Sequence, residues 1–177
     1  MKFMETKGIT GPISKVSYRA ADLPQTVFGA YVEDRCNKRL QQEILEYATK
    51  LNRNVEVMDK VPKITVRIVA CIEDVLKTLP EFKELFETRG FPTEFPFRTK
   101  VLLLFQEVDG IDTLLFCMYV DEYGSECPAP NRRYSYVSYL DSVKHFKPAI
   151  FRSTLYSEII CSYLAYAKNR GFHNVYI

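Results

Sequence analysis

The sequence lacks tryptophan entirely, has only 2 histidines and 7 glycines, and contains no pair of cysteines with C-x-x-C spacing. Its cysteines are odd in number and far apart, at positions 36, 71, 117, 127 and 161. This pattern argues against a disulfide framework and against a zinc site, so we expect no metal. Reduced thiols in an intracellular compartment are the simple interpretation.

An excess of charge and long apolar segments are also lacking. The formal net charge is only +2, whereas nucleic-acid-binding proteins usually have a strongly basic face. Apolar runs such as residues 101–105 are only long enough for a strand, and the first fifteen residues lack the apolar run of a signal peptide. We therefore expect neither direct nucleic-acid binding nor a membrane partner.

The residues that are present favour a folded domain. Hydrophobic residues make up 47% of the 177 positions, and phenylalanine and tyrosine together supply the whole aromatic share of 14%. A chain of this length and composition can bury a core as one domain. Residues 1–21 mix Gly, Pro, Ser and Lys, which predicts a flexible arm, and residues 22–177 are assigned to the folded part.

The first of two amphipathic helices is predicted from about Asp22 to Asn52. Asp22 can accept bonds from the first free amides as the N-cap, and Pro24 is tolerated in a first turn. An apolar stripe recurs every three or four residues along this segment: Phe28, Val32, Cys36, Leu40, Ile44, Ala48 and Leu51.

The second helix is predicted from about Ser153 to Arg170. Ser153 or Thr154 can serve as the N-cap, and Gly171 follows the last turn, where a glycine commonly ends a helix. The apolar face of this helix consists of Leu155, Ile159, Tyr163 and Tyr166.

Strands are predicted at residues 54–59, 64–71, 99–108, 114–120, 134–140 and 173–177. Asp109-Gly110 favours a tight hairpin between the third and fourth of them, and the apolar character of both strands predicts central positions. Pro80 and Gly90 bound a segment that is helical by propensity. The strand, helix and strand from residue 134 to the end form a βαβ unit with a parallel pair. The predicted fold class is α/β, with a mixed central sheet flanked by helices.

A phosphate-binding site is one interpretation of this βαβ unit. Ligands of α/β sheets bind beyond the carboxyl ends of strands, and free amides at a helix start attract phosphate. Here Asp141 and Ser142 end a strand, and Arg152 and Ser153 begin the helix, where arginine can donate two bonds to phosphate oxygens. The ordinary alternative is a capped helix with an adjacent arginine. Cys127 with His145 is a further candidate pair, as nucleophile and base.

Several longer motifs carry a more specific signal: FPFRTK, EVDGID, MYVDEYGSECPAPNRR, SYVSYLDSV, FRSTLYSEI and YLAYAKNRGF. In this order they resemble the catalytic domain of histone acetyltransferases of the CREB-binding-protein type. The resemblance extends from about Leu23 to Ile177. It implies an acetyltransferase-like, GNAT-related core that uses acetyl-coenzyme A as cosubstrate.

The resemblance also implies roles for individual residues. The matching positions for cofactor binding are Leu140, Asp141, Ser142, Arg152, Ser153 and Tyr156, with Ser153 in place of the family's threonine. Ser138 and Tyr139 match the lining of the tunnel for the substrate lysine. Thr99 matches an acidic surface pocket for a second basic side chain, and the acidic residues of that pocket are expected mostly beyond Ile177.

The family's catalytic tyrosine, the general acid for the leaving thiolate, is expected beyond Ile177, so the sequence predicts a C-terminally truncated domain with no catalytic residue of its own. Val175 and Ile177 are then expected to be exposed. The implied partners are histones, other lysine-bearing nuclear proteins and transcription factors, and the implied location is the nucleus, with a coactivator role. The alternative is an inactive paralogue that only binds or is vestigial.

Overall fold

A computed structural model of the protein describes residues 19–51 and 63–177. Five strands form one sheet in the order β1 to β5: Ile64–Lys77, Glu94–Val108, Ile111–Glu122, Tyr134–Ser142 and Asn174–Tyr176. The first four are antiparallel neighbours, and β5 is parallel to β4. The sheet is therefore mixed, with a parallel pair across the predicted βαβ unit. The predicted strand at residues 54–59 lies outside the described residues.

The helices are α1 (Val27–Lys50), α2 (Pro80–Phe86) and α3 (Arg152–Asn169). Short 3-10 turns lie at Ala20–Asp22, Glu87–Arg89 and Ala149–Phe151. The propensity-based helix after Pro80 is confirmed, and Gly90 follows it with a left-handed φ of 76°. Within the described residues, no helix is both long enough and apolar enough to cross a bilayer.

Helix α1 begins five residues later than predicted. Thr26 is the N-cap, and its hydroxyl accepts a bond from the Gly29 amide at 3.0 Å. Asp22 instead accepts from the Arg19 amide at 2.8 Å within the preceding 3-10 turn, so Pro24 lies outside the helix. The predicted apolar stripe is buried along the helix, and only Leu51, which follows the helix end, is 44% exposed.

Helix α3 also starts differently from the prediction, because neither Ser153 nor Thr154 is its N-cap. The 3-10 turn runs directly into the helix, and its i to i−3 bonds satisfy the amides of Phe151 (to Pro148, 3.2 Å) and Arg152 (to Ala149). No capping side chain is needed at that point. The predicted C-terminal end is confirmed, with Gly171 at a φ of 82°.

The N-terminal segment ahead of α1 contacts the sheet. The predicted arm, residues 1–21, lies mostly outside the described residues, but the Ala20 amide donates to Asp112 at 2.6 Å and Ala20 is buried. Arg19 donates to the Gly110 carbonyl at 2.9 Å in the β2–β3 turn. That turn has the predicted positive φ values, 53° at Asp109 and 82° at Gly110.

The side chains of cross-strand partners lie on the same face of a sheet. The register therefore assigns the residues of the strands to two faces, which differ in burial. The covered face packs against α1 and α3 and includes Val66, Leu102, Leu104, Phe116, Met118 and Val120. The open face carries, on β2 to β4, residues Thr99, Val101, Leu103, Cys117, Tyr119, Asp121, Tyr136, Tyr139 and Asp141. At the C-terminal end the prediction of exposure is right for Ile177, which is 70% exposed. It is wrong for Val175, which is half-buried against the core.

Candidate functional site

A β-bulge in β4 determines which way the predicted site residues face. Tyr119 pairs with Tyr139, whereas the next residue of β3, Val120, pairs with Val137, so Ser138 is an extra residue without a direct partner on β3. An extra residue reverses the alternation of side chains along the rest of the strand. Tyr139 and Asp141 therefore lie on the open face, and their neighbours in the strand lie on the other.

The Leu-Asp-Ser segment at the end of β4 is accessible. Leu140 is 39% exposed although it shares a face with buried Met118, and Asp141 and Ser142 are also exposed. The Asp141 carboxylate accepts a bond from the Ser142 amide at 2.8 Å. It also accepts from the Tyr139 hydroxyl at 3.3 Å and, as a nearby negative charge, raises the pKa of that hydroxyl. Tyr139 thus remains a hydrogen-bond donor at neutral pH.

The first turns of α3 contact the backbone that directly follows this segment. The Tyr156 hydroxyl lies 2.7 Å from the Val143 carbonyl oxygen and 3.2 Å from that of Leu115, and it can donate to either. Burial raises the pKa of Tyr156, which keeps it protonated. Arg152 donates to the Lys144 carbonyl at 3.3 Å. The structure therefore brings Arg152 and Tyr156 next to the end of β4, with Ser153 exposed beside them.

Two of the three residues predicted to meet the substrate, Thr99 and Tyr139, lie on the open face, and the third, Ser138, is the exposed extra residue of the β4 bulge. Tyr139 is 51% exposed and packs edge-on against Tyr119, with ring centroids 5.5 Å apart. Thr99 is paired with Asp121 across β2 and β3, and its hydroxyl donates to that carboxylate at 2.6 Å. Asp121 is not among the residues predicted from the sequence, because the acidic partners of Thr99 were expected mostly beyond Ile177. The structure supplies one from the neighbouring strand.

The structure does not favour a cysteine nucleophile at Cys127. Burial raises the pKa of its thiol, whereas a nucleophilic cysteine needs a lowered pKa. Its sulfur donates to the Pro128 carbonyl at 3.6 Å. Across residues 19–51 and 63–177, no three histidine, cysteine or carboxylate side chains are arranged to hold a metal ion.

The fold and these contacts define a class of protein. Ligands of open α/β sheets bind beyond the carboxyl ends of strands, which is where the end of β4 meets the start of α3. The chain is an α/β domain with a five-stranded mixed sheet, and its sequence comparisons specify the class further.

Residues 50–177 match the family model of the histone acetyltransferase domain KAT3. The chain is 44% identical over 165 residues to the Arabidopsis thaliana protein named histone acetyltransferase HAC12, covering 89% of this chain and 10% of that protein. It is 41% identical over 179 residues to a rice protein named probable histone acetyltransferase HAC-like 1, covering 97% and 11%, and 35% identical over 164 residues to the Caenorhabditis elegans protein cbp-1, covering 90% and 7%.

The chain therefore belongs to the KAT3 histone acetyltransferase domain family, and the resemblance inferred from its motifs is confirmed. It spans about a tenth of the length of the curated relatives that it matches.

Proposed function

We propose that this chain forms the acetyl-coenzyme A-binding part of a lysine acetyltransferase domain with a GNAT-related core. The observation that carries the proposal is the meeting of the Leu140-Asp141-Ser142 segment with the start of α3. Tyr156 and Arg152 contact the two carbonyls that follow this segment, at 2.7 Å and 3.3 Å. The cofactor's polar groups need donors and acceptors, and exposed side chains provide both here.

The residues of this site fit the parts of the cofactor. Acetyl-coenzyme A supplies the acetyl group as a thioester and also carries phosphates. Asp141 and Ser142 are exposed and can bond the pantetheine or ribose groups, while Leu140 offers an apolar contact. Arg152 and the Ser153 hydroxyl are suited to phosphate oxygens. These residues bind and orient the cofactor, and we assign no catalytic acid or base to this chain.

The open face suits a basic protein substrate. On β2 to β4 it includes Thr99, Asp121, Tyr139 and Asp141. Arg67 lies opposite Leu103 on β1, but it is buried and pairs with Glu33 at 2.7 Å. Carboxylates attract cationic side chains, and tyrosine rings can also bind a cation over their faces. We propose Thr99, Ser138 and Tyr139 as substrate contacts. Histones and other lysine-bearing nuclear proteins are the proposed substrates, in the nucleus, with transcription factors as further partners.

Calorimetric titration with acetyl-coenzyme A tests the cofactor site. We expect micromolar binding that Arg152→Ala weakens by about 1.5–3 kcal/mol, the scale of a charge-assisted hydrogen bond, which is about 10- to 150-fold in Kd. Arg39→Ala is the matched control, because Arg39 pairs with Glu43 on α1 at 2.5 Å. Unchanged affinity in Arg152→Ala would remove this residue from the site, and no binding by the wild type would refute the proposed function.

A further inference from the structure

A buried glutamine on β2 contacts the loop between the two halves of the proposed cofactor site. Gln106 lies on the covered face and has no exposed surface. Its amide nitrogen donates to the Lys147 carbonyl at 2.6 Å, and its amide oxygen accepts from the Lys147 amide at 3.0 Å. Both polar atoms of the Gln106 side chain thus form hydrogen bonds with the backbone of Lys147.

That residue lies in the segment that connects β4 to α3. Residues 143–151, here named the connecting loop, begin directly after Ser142 and end directly before Arg152. Both ends of the loop have their own anchors: the Val143 amide donates to the Leu115 carbonyl at 3.0 Å, and the Phe146 and Phe151 side chains are buried. The middle of the loop borders an open depression of about 490 Å³ that Val108 and Thr113 of the β2–β3 hairpin also line. There the Lys147 side chain reaches the Asp109 carboxylate at 3.0 Å, and the Lys147 backbone is held by Gln106.

We propose that Gln106 is a positioning residue for cofactor binding, a role that rests on the proposed function. By fixing the Lys147 backbone, it sets the place of Arg152 relative to the Leu140-Asp141-Ser142 segment. Buried polar pairs with both partners satisfied favour one geometry over others. Binding sites gain affinity when their groups are held in the bound arrangement before the ligand arrives.

The test substitutes Gln106→Met, which keeps the length of the side chain and removes both bonds. We expect the Kd for acetyl-coenzyme A to rise at least tenfold. The control is Asn37→Leu, because Asn37 makes an equivalent pair of bonds to the Ile64 backbone, at 3.2 Å and 3.3 Å. Ile64 lies opposite Gln106 on β1, so the control changes the same part of the core, but β1 is separated from β4 by two strands. Asn37→Leu should lower the melting temperature in the same way and leave the Kd unchanged.

A double-mutant cycle separates positioning from general loss of stability. If Gln106 acts through Arg152, adding Gln106→Met to Arg152→Ala will raise the Kd by less than about twofold beyond Arg152→Ala alone. Fully additive effects, or an equal loss of affinity in Asn37→Leu, would overturn the inference. If the wild type does not bind acetyl-coenzyme A, the proposed function is refuted, and the role of Gln106 in cofactor binding is refuted with it.

Hydrogen exchange on the wild type keeps the inference testable even if Gln106→Met does not fold. The Lys147 amide donates to Gln106, and the Ile64 amide donates to Asn37. A cofactor that binds the residues on both sides of the connecting loop should slow exchange of the Lys147 amide at least threefold and leave the Ile64 amide unchanged. Equal rates at Lys147 with and without acetyl-coenzyme A would contradict a role for this anchor in binding.

Discussion

The covered face and the open face of the sheet are built from alternate residues of the same strands, yet they differ in burial and in chemistry. On β3, Met118 is fully buried, while the adjacent Tyr119 is 38% exposed. On β2, Leu104 is fully buried and Leu103 is only half-buried. The covered face excludes water and holds the fold together. The open face contributes less to burial and can therefore carry the aromatic and acidic side chains that a substrate would contact.

The largest expected effect is on stability, and it is tested by truncating Leu104 on the covered face and its neighbour Leu103 on the open face. We expect Leu104→Ala to lower the free energy of unfolding by about 2–5 kcal/mol, because it removes a buried side chain and leaves a cavity. Leu103→Ala should cost about 1 kcal/mol, because that side chain keeps contact with water. Urea denaturation of both variants, with equal m-values, measures the difference. Similar losses in both would mean that the open face is as tightly packed as the covered one.

The core between the covered face and the helices should also disfavour an unpaired charge, which can be tested at Cys36 on α1. Burial raises the pKa of this thiol from 9.0 to about 12. Between these values the unfolded chain loses the proton and the folded chain keeps it, so the free energy of unfolding falls as the pH rises. The slope from this one group is about 1.4 kcal/mol per pH unit above pH 9, and below pH 9 its contribution is fully present.

The measurement is the pH dependence of urea unfolding from pH 8 to 10.5 in the wild type and in Cys36→Ala. Other groups titrate in the same range, so the difference between the two slopes is the readout. Cys36→Ala will be less stable at neutral pH because of its cavity, but its stability should fall less steeply above pH 9. Parallel curves would show that Cys36 ionises as freely in the folded state as in the unfolded one.

Much of the covered face was predictable from the sequence, because it depends on local periodicity. The stripe from Phe28 to Ala48 is buried as its spacing of three and four residues indicated. The Asp109-Gly110 turn was predictable for the same reason, since two adjacent positive φ angles leave few alternatives to aspartate and glycine. Helix starts were less predictable, because Asp22, Thr26 and Ser153 are all good capping residues and the short 3-10 turns before the helices decided which of them caps.

The open face was harder to predict, because bulges change its register. Counting outward from the turn, where Val108 opposes Ile111, would place Thr99 opposite Val120. The extra residue Leu115 shifts the partner to Asp121, which supplies the carboxylate next to Thr99. Ser138 acts in the same way for Asp141 in β4. Such insertions leave no clear trace in composition or periodicity, so the motif resemblance predicts candidate site residues but does not show which of them share a face.

The smallest effect is expected at Cys117, the cysteine of the open face. It is half-buried and pairs with Asp141 across β3 and β4. Burial first, and the Asp141 charge second, raise the pKa of its thiol. Because the thiolate is the reactive form, Cys117 should react with iodoacetamide more slowly than the exposed Cys161, but faster than the buried Cys36.

Asp141→Asn removes the second cause and leaves the first, so labelling of Cys117 at pH 8 should become about two- to threefold faster while Cys161 is unchanged. Mass spectrometry of time points resolves each cysteine in the same sample, which makes Cys161 an internal control. An unchanged rate at Cys117 would place the Asp141 charge too far away to act. Labelling as slow as that of Cys36 would mean that the open face is not accessible to solutes, and its proposed role in binding substrate would then have to be abandoned.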